Sequence, residues 1–120
     1  LTRAVALALV VSAFACGRAE HDRTREEGEL RTRLASMRAA ITTYTKTHGQ
    51  GPATLRDAMP VVPIDPLTHS ASTWRLTTEE TVRIDDFTPS PVNAKRRIVI
   101  IEIHSGAAGR DKRGRRYSEY

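Results

Sequence analysis

Residues 30–44 read LRTRLASMRAAITTY. Leu30, Leu34, Met37, Ile41 and Tyr44 recur at spacings of four, three, four and three. Those spacings line the five side chains along one side of a 3.6-residue helix. Arg31, Arg33, Arg38 and Lys46 fall off that line. Ala35, Ala39 and Ala40 raise helix propensity, and Thr42, Thr43, Thr45 and Thr47 lower it slightly. Gly49 suits the left-handed position just past a helix end, and Gly51-Pro52 prevents the helix from resuming. The pattern predicts a helix over about residues 21–48, roughly 40 Å long at 1.5 Å per residue. One apolar stripe needs a surface to cover it. This one lasts barely two heptads, too short for a sustained coiled coil, so a sheet is the expected partner.

The sequence that follows supplies one. Residues 44–68, YTKTHGQGPATLRDAMPVVPIDPLT, contain two glycines and four prolines and hardly any regular period. Thr54 and Asp57 have the spacing of a capping box, which predicts one short helical turn stopped by Pro60. Residues before prolines are pushed toward extended geometry, so VVPIDPLT is expected to be a stiff, ordered strap. STWRLTTEE (72–80) and TVRIDDF (81–87) alternate like strands, with Trp74, Leu76, Val82, Ile84 and Phe87 apolar and a turn expected at residues 77–80. Residues 88–95 read as a proline-rich loop. RRIVIIEIH (96–104) is apolar at consecutive positions, the pattern of a strand covered on both faces. The expected fold is therefore α+β. A long N-terminal helix packs on a small antiparallel sheet of two or three strands, and an ordered Pro/Gly-rich loop joins them.

The N-terminal residues carry a different signal. Arg3 precedes an apolar run over residues 4–15, shorter than the roughly 20 residues of a membrane-spanning helix. It fits the core of a secretory signal peptide, with Ala13-Phe14-Ala15 as a small-x-small cleavage site. The single cysteine, Cys16, follows directly, where bacterial lipoproteins are cleaved and acylated. Simple secretion with an unmodified Cys16 is the alternative. The expected organisation is a signal peptide at 1–15, a lipid-anchored tether running into the helix at 16–29, and a globular domain at 30–120. GRAEHDRTREEGE (17–29) has mixed charges and no apolar stripe, so it reads as a tether or a solvated first turn.

Composition narrows the function. The 120 residues suffice for one small domain, and a 5% aromatic content makes its core modest. One cysteine excludes an intramolecular disulfide. The four histidines lack metal-ligand spacing. A net charge of +5 is basic without the density of a dedicated nucleic-acid binder.

Taken in order, several weak motifs form one pattern: Met37, Ile41 and Tyr44 on the helix; Gly49, Pro52 and Leu55 after it; Pro63-Ile64-Asp65-Pro66; Trp74; Ser105-Gly106; and Tyr117 with Tyr120. Over about residues 30–120 the chain resembles the major pseudopilin of type II secretion systems, of the type IV pilin-like group. The resemblance implies a helix on a small antiparallel sheet and a non-enzymatic subunit of a periplasmic pseudopilus. It also implies that Asp65, Pro66 and Trp74 shape a strap that contacts neighbouring subunits. Two departures qualify it. No Phe-Thr-Leu-Ile-Glu-type cleavage sequence occurs, and residues 4–15 hold no acidic residue where a pilin carries its glutamate. The family's last loop binds calcium. Here Asp111 is the sole carboxylate within residues 106–116, among Arg110, Lys112, Arg113, Arg115 and Arg116. Calcium favours six to eight oxygen ligands and negative charge, so no metal and no cofactor are expected.

The resulting expectation is a pilin-like domain anchored by lipid to a membrane of the cell envelope and facing the periplasm. Its partners would be subunits of a secretion or pilus machine, with self-association as a further expectation. A second class is an exported lipoprotein whose basic tail, GRDKRGRRY (109–117), contacts acidic partners or anionic lipid. Export removes that tail from cytoplasmic nucleic acid, so no nucleic-acid partner is expected. An enzyme is the third. Glu79-Glu80, Asp85-Asp86 and His104 offer acid–base groups, but no nucleophile elbow, metal-ligand set or phosphate loop accompanies them. Neighbouring carboxylates on a strand also point to opposite faces.

Overall fold

A computed structural model describes residues 2–83 and 95–120, with side chains for 17–81 and 96–120. Helix α1 spans Thr2–His48, followed by a single helical turn, α2, at Leu55–Ala58. Strands β1 (Arg75–Arg83) and β2 (Lys95–His104) pair antiparallel, and a short 3-10 helix closes the chain at Tyr117–Glu119. The fold is α+β, a long helix lying on a two-stranded antiparallel sheet. Among the described residues, no helix is long and apolar enough to cross a membrane.

The stripe does what its period predicts. Leu30, Leu34, Met37 and Ile41 are all buried. They meet Ile100 and Ile103 of β2, with Met59, Trp74, Tyr117 and Tyr120 filling the rest of the cluster. Burial of each such aliphatic side chain contributes about 1.5–3 kcal/mol. Tyr44 is only half-buried; its ring stacks on that of His48 at 3.9 Å, beyond the covered part of the stripe. Gly49, at φ 76°, ends the helix as expected and donates from its N–H to the Thr45 carbonyl at 2.8 Å.

Three expectations are refined or corrected. Residues 17–29, expected as a tether running into the helix, all belong to α1, and Glu27 among them is 7% exposed where a solvated turn was expected. Glu27 precedes Leu30 by three residues, so it extends the stripe by one position. Second, residues 77–80 are strand and not turn. Pairing with β2 runs from Arg75↔His104 to Arg83↔Lys95, interrupted by a bulge between Thr77 and Thr78, opposite Ile101. Backbone pairing overrides the polar composition there. Third, β2 is covered on its two faces only in part. Val99, Ile100 and Ile103 are buried, but Ile98 is 66% and Ile101 48% exposed. Ile84, Phe87, Asp85, Asp86 and most of the expected loop at 88–95 lie outside the described residues, as do the side chains of Cys16 and Val82.

Candidate functional site

Two assemblies hold the sheet and loops to the helix, and the residues singled out in the sequence converge on them. The first is the strap after α1. Gly51 lies against β2 so closely that a Cβ there would sit 2.2 Å from the Ile100 carbonyl oxygen. This lets the buried Pro52 accept a 2.8 Å hydrogen bond from the Ile100 N–H. The capping pair forms, with the Thr54 N–H donating to Asp57 Oδ2 at 3.1 Å. The Trp74 indole N–H donates to the Pro63 carbonyl at 2.8 Å.

Beyond Pro63 the strap is not simply extended. Asp65, beside the buried Pro66, turns the chain back on itself. The Asp65 N–H donates to the Ser70 carbonyl, and the His69 N–H donates to the Asp65 carbonyl, with His69 at φ 59°. Asp65 Oδ1 accepts from the Leu67 N–H at 2.8 Å, as Asp does when it nucleates a turn. Its other oxygen, Oδ2, accepts from the Ser105 hydroxyl at 2.6 Å. Both residues are 0% exposed. Gly106 follows because nothing larger fits: a Cβ would lie 1.8 Å from the Thr73 carbonyl oxygen.

The second assembly is the C-terminal segment folded onto α1. The Tyr117 hydroxyl donates to Glu27 Oε1 at 2.7 Å. The Tyr120 hydroxyl donates to Asp111 Oδ2 at 2.6 Å, and Arg31 reaches the same hydroxyl at 3.0 Å with its guanidinium 4.9 Å from the ring centre. Asp111 Oδ1 accepts from the N–H groups of Arg113 and Arg115. Arg38 fans out from the helix to Glu102 Oε1 at 2.8 Å, the Ile103 carbonyl at 2.9 Å and the main-chain oxygen of Tyr120 at 2.5 Å. His104 Nδ1 lies 2.9 Å from that same Tyr120 oxygen.

The electrostatics follow from these contacts. The Tyr120 hydroxyl, and then the N–H groups of Arg115 and Arg113, hold the Asp111 carboxyl below its ordinary range despite some desolvation. Burial first and the Asp111 hydrogen bond second push the Tyr120 phenol up to about 12. Burial and Glu27 likewise raise Tyr117. The Ile103 N–H, followed by Arg38, lowers Glu102.

These contacts fasten one segment of the chain to another. The Ser105 hydroxyl is enclosed, donating to a carboxylate and accepting from the Ala107 N–H at 3.1 Å, with no open face for a substrate. Both Asp111 oxygens are engaged by donors of the loop itself. Among the described residues, no three His, Cys, Asp or Glu side chains cluster as a metal site would require. Glu79 and Glu80 are exposed on β1, and Glu80 sits 3.7 Å from Arg96.

Sequence reasoning missed Glu27, Arg31 and Arg38. The arginines had been set aside as lying off the stripe, yet they flank it and supply its polar border. Arg33 does the same for the strap, donating to the Ile64 carbonyl at 2.5 Å. The tail cations are partly engaged as well: Lys112 pairs with Glu20 at 2.8 Å, and Arg115 donates to the Glu119 carbonyl at 2.6 Å.

Comparison with protein-family models, with characterised proteins and with solved structures gave no match to this chain.

Proposed function

We propose that this chain is a non-enzymatic structural or accessory component of a type II secretion or pilus-type machine. Its domain is pseudopilin-like and is held at a membrane, facing the periplasm, by lipid on Cys16. The observation that supports this reading is convergence. Asp65 and Ser105, forty positions apart, share one buried hydrogen bond. Gly106 packs on the residue before Trp74, and Tyr117 and Tyr120 close on the helical stripe. These positions carry the resemblance to the pseudopilins, and they act together in one fold. Each serves internal attachment, the use expected of a building block.

The test is made on protein extracted from membranes of its own host, with a photo-crosslinking residue at Val61, which is 80% exposed on the strap. The expected result is an intact mass that begins at an acylated Cys16, together with adducts to secretion-type or pilin-like subunits or to a second copy. A soluble chain with unmodified Cys16 overturns the anchor. Adducts confined to proteins outside such machines overturn the assembly role.

A further inference from the structure

An open cleft of about 370 Å³ separates the start of β1 from the C-terminal segment. Arg75, Arg110 and Arg116 line it, with Gly109 and Ser118 between them, and no carboxylate faces it. The arginines are placed by backbone. Arg75 is set by its pairing with His104. Arg110 and Arg116 face each other across an isolated antiparallel bridge. The Tyr117 N–H to Gly109 carbonyl bond and the Asp111 N–H to Arg115 carbonyl bond secure that bridge. Arg110 is steadied further by donating to the Gly114 carbonyl at 2.7 Å.

The local charge is unbalanced. Among the described residues neither Arg75, Arg110 nor Arg116 forms an ion pair within 4.0 Å, although Arg33, Arg38, Arg96 and Lys112 do. The nearby Asp111 is committed to Tyr120 and the loop amides, and Glu20 to Lys112. Three arginines lining one cleft without a lining carboxylate give it a positive potential that an anion would offset. Their planar forks match the oxygens of phosphate, and Ser118 adds a hydroxyl. The volume is at the small end for ligand sites, suited to a head-group-sized anion.

We propose that this cleft binds a phosphate group, either free or as the head of an anionic lipid. The site is independent of the secretion role and stands or falls on its own test. In that test the 120-residue chain is titrated with inorganic phosphate while the Gly109 and Ser118 amides are followed by NMR. In a parallel arm, phosphatidylglycerol and phosphatidylcholine vesicles are compared in co-sedimentation. Both arms use the parent chain, Arg75→Gln, Arg116→Glu and the exposed control Arg56→Gln.

The expected result is saturable binding in at least one arm, about tenfold weaker in the two cleft variants and unchanged in the control. Tighter binding to phosphatidylglycerol vesicles than to inorganic phosphate assigns the lipid head group; the reverse assigns the free anion. Equal losses in Arg56→Gln and Arg116→Glu, or saturation in neither arm, overturns the proposal. Unchanged near-ultraviolet circular dichroism of the variants establishes that a loss is one of binding and not of folding.

Discussion

Ser105 places its hydroxyl 2.6 Å from Oδ2 of Asp65, and neither residue is exposed to solvent. Asp65→Ala removes the acceptor for the Ser105 hydroxyl and for the Leu67 N–H. Buried donors without partners are expensive, so the loss is expected to be about 2–4 kcal/mol. Ser105→Ala is the milder change, at about 1–3 kcal/mol. Urea unfolding of the two variants and the double mutant measures both. Full additivity would show that the pair does not act as a unit.

Glycines separate close packing from simple chain freedom. Gly106→Ala and Gly51→Ala force a Cβ to within 1.8 Å and 2.2 Å of a carbonyl oxygen, and each is expected to cost about 1–3 kcal/mol or more. Gly28, in the exposed part of α1, has nothing within 4 Å of a Cβ. Gly28→Ala is expected to stabilise by about 0.5–1 kcal/mol. Thermal melts of the three variants check the ordering, and a destabilising Gly28→Ala would contradict the helix drawn through residues 17–29.

The pairing of Asp111 with Tyr120 gives stability at intermediate pH that is lost toward both ends of the scale. Asp111 has a depressed carboxyl, so its contribution is present above the ordinary carboxylate range and is lost as pH falls through the folded value. Tyr120 is raised from 10.0 to about 12, so its contribution is complete below pH 10.0 and is lost as pH rises toward about 12. Asp111→Asn is expected to flatten the acid side of the stability profile. It should also lower the pH at which Tyr120 ionises, read by ultraviolet titration of tyrosinate. An unchanged Tyr120 titration would remove Asp111 from the account.

Arg38 tests the polar border of the stripe. Its fork serves a carboxylate and two main-chain oxygens at once, a geometry a lysine ammonium does not reproduce. Arg38→Lys and Arg38→Ala should both lose about 1–2 kcal/mol, the partly exposed Glu102 pair contributing the smaller share. Recovery of parental stability by Arg38→Lys would reduce the interaction to charge alone.

The parts of this fold that were legible in the sequence are those with a period or an obligatory residue. Leu30, Leu34, Met37 and Ile41 announce a buried helical side, and Gly49 its end. What stayed hidden depends on partners distant in sequence. The residues at 77–80 look like a turn until β2 is laid beside them. The run at 96–104 states that its residues are apolar, not which are covered, and Ile98 and Ile101 end up exposed. Asp65 reads as one more residue of an extended strap, since no spacing links it to Ser105. Glu27 was within reach, because counting three back from Leu30 lands on it, but its charge disguised a stripe position.

The bond from Tyr117 to Glu27 spans 90 positions of the chain. It imposes an order of events on synthesis. A nascent chain can wind its helix early and pair its hairpin later, but the helix stays unlatched until Tyr117 has emerged. Until then the apolar side of the helix lacks two of its aromatic covers and remains open to whatever receives the growing polypeptide. Closure of the core is thereby tied to the arrival of residues 117–120.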